Sequence, residues 1–280
     1  MVLCSFHLFA LKEGHTPPTF LSALHKAGIK PIVQALVLRW MILPQVISTG
    51  HLLARNVRWD MLLVLPEGSH ISESLRASAI AAEWTASIGT SSKLLSSYSS
   101  LNAELLNPVP GTVPPASLDL AAAAQAESSQ NLELTPELAS FIAALPAHIK
   151  TRPVSMLNLL SLNEGKHAQY VKYGHEFSSR VGARYGGRVK IVGKVTSSGV
   201  VEPKEGDVRK QQQEGWDEIA FVHYPSITHF ASMAADNDYQ GVNHKYRLGA
   251  LKDTFIICVV EISPDGKLVC EAEKENKMKL

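Results

Sequence analysis

The chain has 280 residues, which on a scale of roughly 100–200 residues per domain allows two domains or one large one. Lys and Arg number 27 against 26 Asp and Glu, a net charge of +1 with neutral histidines, so the basic excess of nucleic-acid and membrane-surface proteins is missing. A hydrophobic share of 45% with 19% charged residues excludes a disordered chain, and three cysteines without a CxxC pair (Cys4, Cys258, Cys270) exclude a disulfide scaffold and a cysteine-ligated zinc site.

The apolar opening lacks a basic flank, His7 interrupts it, and Lys12 and Glu13 close it. The apolar stretch 31–43 is limited by Gln34, Arg39 and Pro44. Neither approaches the roughly 20 apolar residues of a membrane span. The expectation is a cytoplasmic protein with neither membrane nor nucleic acid as a partner.

In chain order, a strand is predicted over 6–12, a short helix over 19–27, a long strand over 33–43 and a strand from Trp59-Asp60 to Pro66. The stretch 69–106 is Ser- and Ala-rich and shows no convincing fourth strand. Residues 107–131 have linker composition: Pro108, Pro110, Pro114 and Pro115 cannot continue a helix or a central strand, and small or polar residues follow. Thr135-Pro136-Glu137 then opens a helix, with a capping hydroxyl, a proline in the first turn and an acidic side chain near the positive end of the dipole. A strand over 154–162 is apolar on both faces, and a helix over 166–184 carries Tyr170, Tyr173, Phe177 and Val181 on one stripe. Residues 189–195 alternate as a strand, 197–215 form a polar loop, and 217–224 form another strand. Helices over 226–235 and 239–251 and a strand over 254–262 follow, with a frayed charged tail at 271–280.

The second half thus reads strand–helix–strand–strand–helix–strand, the order of a ferredoxin-like split βαβ unit. The first half echoes it, since His7 and Trp59 stand 52 residues apart and Asn158 and Trp216 stand 58 apart. An internal repeat follows, and with it an α+β fold of two tandem ferredoxin-like units with antiparallel sheets. The boundaries are 1–106 for a divergent N-terminal unit, 107–131 for the linker and 132–270 for the C-terminal unit.

The run Pro153-Val154-Ser155-Met156-Leu157-Asn158-Leu159-Leu160, Tyr170 with Tyr173, Tyr185-Gly186-Gly187, and Asp238-Tyr239-Gln240 with His244, Arg247 and Ala250-Leu251 carry a resemblance. Over about 135–262 the chain resembles a small uncharacterised family of the dimeric α/β-barrel superfamily. Many family members have Arg or Lys soon after the Asn-Leu-Leu run, where this chain has Ser161-Leu162-Asn163. The resemblance implies two ferredoxin-like sheets packed against each other, within one chain or between two, and so self-association through sheet faces. The superfamily includes isomerases, cyclases, lyases, monooxygenases and haem enzymes, so fold alone does not fix the chemistry.

His244 and Arg247 lie at i and i+3 on a predicted helix, where a cation beside an imidazole suits an anionic substrate and proton transfer. The alternative is a solvated helix edge. Asn158, an amide among apolar strand neighbours, orients a ligand carbonyl or bonds to backbone. His7 holds the corresponding place in the first half, as a ligand group or a satisfied core histidine. His223 shares a strand face with Phe221, and Tyr170 and Tyr173 are core packing or phenols aimed at a ligand. No GxxxxGK[ST], strand-linked GxGxxG, HExxH or GxSxG is present, and Cys258 reads as an inert core thiol. The leading expectation is a cofactor-free, metal-free enzyme of isomerase or lyase type, acting on a small organic acid or a phenolic, polyketide-like metabolite of secondary metabolism. In that expectation His244, Arg247 and Asn158 are catalytic, and Tyr170, Tyr173, His223 and His7 line the substrate. The alternatives are a non-catalytic small-molecule-binding or assembly protein, and a monooxygenase or a haem enzyme with His7, His223 or His244 as axial ligand.

Overall fold

The computed structural model describes residues 2–53, 56–116, 119–201 and 215–269. These form strands β1 (Val2–Leu11), β2 (Val33–Ile42), β3 (Met61–Pro66), β4 (Ile80–Thr90), β5 (Val154–Leu162), β6 (Arg188–Val200), β7 (Glu218–Tyr224) and β8 (Leu251–Glu261). The helices are α1 (Pro17–Lys26), α2 (Glu73–Ala79), α3 (Ser92–Leu106), α4 (Leu120–Ala123), α5 (Pro136–Ala144), α6 (Ala147–Lys150), α7 (His167–Glu176), α8 (Ile227–Ala234) and α9 (Asn237–Val242). Caps follow the sequence: the Thr135 hydroxyl accepts from the Leu138 amide at 3.2 Å, and Gly186, at φ 70°, ends the turns after α7.

The strands close into one antiparallel barrel in the order β1-β3-β2-β8-β5-β7-β6-β4. This corrects the expectation of two tandem ferredoxin-like units with their own sheets packed together. β2 pairs with β8 from Ala35↔Glu261 to Ile42↔Ile256, and β4 pairs with β6 from Trp84↔Val200 to Thr90↔Gly193. The halves are therefore joined edge to edge. The physical reason is that a separate four-stranded sheet leaves two edges of unpaired amides and carbonyls, and closure removes all of them. Each half still supplies four strands in one relative order, β4-β1-β3-β2 and β8-β5-β7-β6. At the β4–β6 seam a Cβ on Gly193 would stand 2.7 Å from the Gly89 carbonyl oxygen, so the close approach of these strands requires glycine there.

Three sequence expectations change with it. The stretch 69–106 holds a helix, the strand β4 and a second helix, and β6 runs on to Val200 where a loop was expected. The helix expected over 239–251 is α9 followed by a π-helical turn, Asn243–Leu248. The expected tail at 271–280, and the part of the polar loop at 202–214, lie outside the described residues.

Period-two alternation sorts the strands. Phe6, Trp84, Leu157, Phe221, Phe255 and Ile257 point inward and fill the barrel, which is a packed core like other eight-stranded barrels. One end is closed by the segment after β2, whose backbone amides at Gln45, Val46 and Ile47 donate to the Asp253 carboxylate at 2.7–3.2 Å. The other end is covered by α3, whose Tyr98 hydroxyl and Asn102 amide donate to buried Glu261, the ion-pair partner of fully buried Lys190. Outward residues of the first four strands pack under α1 through Phe9, Phe20, Leu21 and Leu63. Those of the last four pack under α5 and α7–α9, and this second outer layer contains the site. The 107–131 segment lies against it: the His229 Nε2 contacts the Pro114 carbonyl at 2.8 Å, and the Asn243 amide donates to the Asn131 carbonyl at 2.8 Å.

Candidate functional site

A cavity of about 490 Å³ lies between the outer face of β5, β6 and β7 and the roof formed by α7 and the π-helical turn. Its floor follows from strand alternation. Leu157 and Leu159 turn into the barrel, so Met156 and Asn158 face the cavity; Ile219 and Phe221 turn in, so Glu218, Ala220, Val222 and Tyr224 face it. The stripe of α7 supplies Tyr170 and Tyr173 above them, and Phe177 follows in the next turn. Ring centroids run from Tyr170 through Tyr173, Phe177 and Tyr224 to Phe230 in steps of 5.2–6.4 Å, a continuous aromatic wall.

Arg247 enters this apolar space from the π-helical turn and is only 2% exposed. Its Nη2 donates to the Thr254 hydroxyl at 3.4 Å, which in turn donates to the Leu159 carbonyl at 3.2 Å. Its Nη1 is buried with no hydrogen-bond partner, and no carboxylate of the described residues lies within ion-pair distance of it. The nearby phenols do not compensate the charge: burial pushes the Tyr173, Tyr224 and Tyr239 hydroxyls up, with Arg247 opposing, so they are neutral at pH 7. A buried cation left unpaired costs several kcal/mol, and such a cost is tolerated where function needs it.

Three polar groups share the cavity with spare capacity. Asn158 spends its amide hydrogens on the Met156 and Ala220 carbonyls at 3.0 and 3.1 Å, and its Oδ1 receives no hydrogen bond from the described residues. The Tyr170 hydroxyl likewise has no hydrogen-bond partner among them, whereas the Tyr173 hydroxyl is tied to that of Tyr239 at 3.0 Å. Burial holds the Tyr170 phenol well above its ordinary range; Tyr173 and Glu218 act in the same direction and Arg247 against it. Glu218 is half-buried, and burial raises its carboxyl, with His167 opposing and Asp217 assisting.

Of the residues singled out from sequence, the structure brings Asn158, Tyr170, Tyr173 and Arg247 to one cavity. His244 is not there. Its side chain is 55% exposed, with Nε2 3.4 Å from Glu133 Oε1. The i→i+5 turn spaces residues differently around the axis from an α-helix, so His244 and Arg247 do not share a face. His223 points into the end of the barrel, where its Nδ1 has no partner and burial, then Lys190, His229 and Arg188, lowers its pKa to about 3. His7 faces the outer layer of the first half, as Asn158 does in the second, but both its nitrogens are engaged: Nδ1 with Glu83 Oε1 at 2.9 Å and Nε2 with Ser5 Oγ at 2.8 Å. The Glu83 contact favours an imidazolium, but Glu83 already pairs with Arg76, and burial together with that guanidinium brings the His7 pKa down to about 3. We assign a neutral ring donating from Nδ1 and accepting at Nε2.

Glu218 was missed from sequence. Its signal was a carboxylate in step with Ala220, Val222 and Tyr224, on a strand face that a helix covers. Among the described residues no three His, Cys, Asp or Glu side chains are grouped as metal ligands. No described helix is long and apolar enough to cross a membrane.

No family model and no curated protein matches the chain. Among solved structures it is similar to the RPA0582 protein of unknown function from Rhodopseudomonas palustris, at 25% identity and a TM-score of 0.32, over 45% of this chain and 92% of that one. The methylated form of the RPA0582 protein gives 25% identity and a TM-score of 0.34, over 47% of this chain and 95% of that one.

Proposed function

We propose that the chain binds a small organic acid with an aromatic or otherwise apolar body in the cavity over β5–β7, and acts on it by acid–base chemistry without a cofactor. The observation that carries this reading is the Arg247 guanidinium, buried at 2% exposure with Nη1 unpartnered, on a cavity otherwise walled by aromatic and aliphatic side chains. A ligand carboxylate would complete its hydrogen bonds and neutralise it, and the aromatic wall would hold the ligand's body. Asn158 Oδ1 would accept from a ligand hydroxyl, and the Tyr170 hydroxyl would donate to a carbonyl. The volume of about 490 Å³ is within the usual range of small-molecule sites.

The test is calorimetric titration of the full chain with phenylacetate and with 2-phenylethanol, which shares the ring and lacks the charge. Phenylacetate is expected to bind more than tenfold tighter, since a hydrogen bond to a charged group is worth about 1.5–3 kcal/mol. Equal affinity for the two would overturn the reading.

A second reading is a carrier that returns its ligand unchanged. It is favoured by the exposure of His244, which removes from the cavity the imidazole expected to move the proton. Mass analysis of ligand recovered after incubation separates the two.

A further inference from the structure

A carboxylate stands across the sheet from Arg247. Thr254, Leu160 and Glu218 are directly paired neighbours on β8, β5 and β7, so they form one rung of the barrel's outer face. Arg247 is fastened at the Thr254 end of that rung, and Glu218 stands at the other, two strand spacings away, or about 9–10 Å between backbones. Both line the same cavity. Neither is within ion-pair distance of the other, and the Glu218 carboxylate takes no hydrogen bond from the described residues. The sheet thus holds an unpaired cation and an acceptor-only carboxylate apart, with the free Tyr170 hydroxyl on the roof above.

Glu218 also borders a neighbouring depression at the strand ends, together with His167, Lys194 and Asp217. His167 Nε2 lies 3.9 Å from its carboxylate, and the His167 side chain is 68% exposed. A carboxylate that borders both the apolar cavity and this second depression, beside the exposed His167, can exchange its proton with water between turnovers.

We propose that Glu218 is the proton-transfer group of this cavity and that the substrate is an enolisable oxo acid, its carboxylate on Arg247 and its acidic C–H toward Glu218. The inference rests on the anion-binding reading above. A Glu218 oxygen takes the proton, the C–H electron pair moves through the new C=C bond onto the carbonyl oxygen, and the enolate so formed is stabilised by the Arg247 charge and the Tyr170 hydroxyl. Return of a proton from Glu218 to carbon restores the oxo acid, and its return at a different carbon isomerises an unsaturated one. Atoms and electrons balance without an oxidant or co-reactant.

Groups from each neighbouring element face Glu218: His167 and Tyr170 from α7, Asp217 beside it, Lys194 across β6, Glu164 in the loop after β5, and Arg247. Its carboxyl is raised by burial, so the rate is expected to climb with pH through a value above the ordinary carboxylate range.

The experiment follows deuterium exchange at the benzylic carbon of phenylpyruvate in D2O by proton NMR, with the buffer rate subtracted, and phenylacetate binding measured in parallel. The wild-type chain is expected to accelerate exchange. Glu218→Gln is expected to lose at least about 100-fold of that acceleration, in line with the usual contribution of a positioned acid or base, while binding phenylacetate within about threefold of wild type. Glu218→Asp, which keeps the carboxylate, is expected to retain part of the rate. Wild-type exchange in Glu218→Gln would overturn the assignment of Glu218 and leave the anion pocket standing, as would wild type binding phenylacetate without accelerating exchange. Failure of wild type to bind phenylacetate would bring down the pocket reading and this inference with it.

Discussion

Arg247 is fastened to the barrel by Thr254: the guanidinium Nη2 donates to the threonine hydroxyl at 3.4 Å, and that hydroxyl donates to the Leu159 carbonyl at 3.2 Å. One end of the guanidinium is thereby fixed to the sheet and the other, Nη1, is left without a partner. The arrangement is a positioned cation, and it makes Thr254 a positioning residue for whatever anion Arg247 receives.

Thr254→Val keeps the shape and removes both hydrogen bonds. Phenylacetate affinity is expected to fall about three- to tenfold, the worth of one ordinary hydrogen bond, with a stability loss of about 1 kcal/mol from the lost hydroxyl contact to the Leu159 carbonyl. Titration calorimetry and urea unfolding read the two effects separately.

Lys190 and Glu261 form the ion pair beneath α3, with Tyr98, Asn102 and Ser155 also donating to the carboxylate. Lys190 is fully buried, so Lys190→Met leaves Glu261 without its cation in the barrel and is expected to cost about 3–5 kcal/mol. Lys190→Met combined with Glu261→Gln removes the stranded charge and is expected to recover most of that loss. Urea unfolding of the two variants checks it, and equal destabilisation in both would show that the charge is not the cause.

His223 gives the barrel a defined acid limit. Burial, with Lys190, His229 and Arg188 adding to it, lowers its pKa to about 3, well below the ordinary value for an imidazole. The unfolded chain therefore binds this proton first. Stability from the neutral ring is complete above about pH 6.5 and declines as pH falls towards 3, at about 1.4 kcal/mol per pH unit. His7, also lowered to about 3, acts in the same sense. His223→Phe is expected to flatten the decline between pH 6 and 4 by about one proton's worth in urea unfolding, and an unchanged slope would contradict this.

Much of this layout was legible in the sequence, and its limits have physical causes. β5 and the capped helix α5 follow from local signals, an apolar run and a Thr-Pro-Glu start. Strand alternation and the stripe of α7 put Asn158, Tyr170 and Tyr173 on buried faces, whereas their meeting with Arg247 in one cavity needed the fold. Barrel closure has no such local signal, because Ala35↔Glu261 joins residues from opposite ends of the chain. β4 was hidden by its composition: Ala82 and Ala86 occupy inward positions beside Trp84, and alanine is a weak marker of strands. His244 was misplaced because a π-helical turn, which no residue type announces, changed the phase between it and Arg247. Glu218 stands beside Asp217 at a strand start, and only the fold shows that its face borders a cavity under α7.

Thermal unfolding of wild type and Arg247→Met, each with and without saturating phenylacetate, tests the anion pocket most directly. If Arg247 is an unpaired cation kept for a ligand, the methionine variant melts higher than wild type without ligand, because a buried uncompensated charge has been replaced by apolar volume. It also loses the upward shift that phenylacetate gives wild type through mass action. An Arg247→Met chain that melts lower than wild type and keeps the full phenylacetate shift would assign Arg247 to the architecture of the fold and contradict the account.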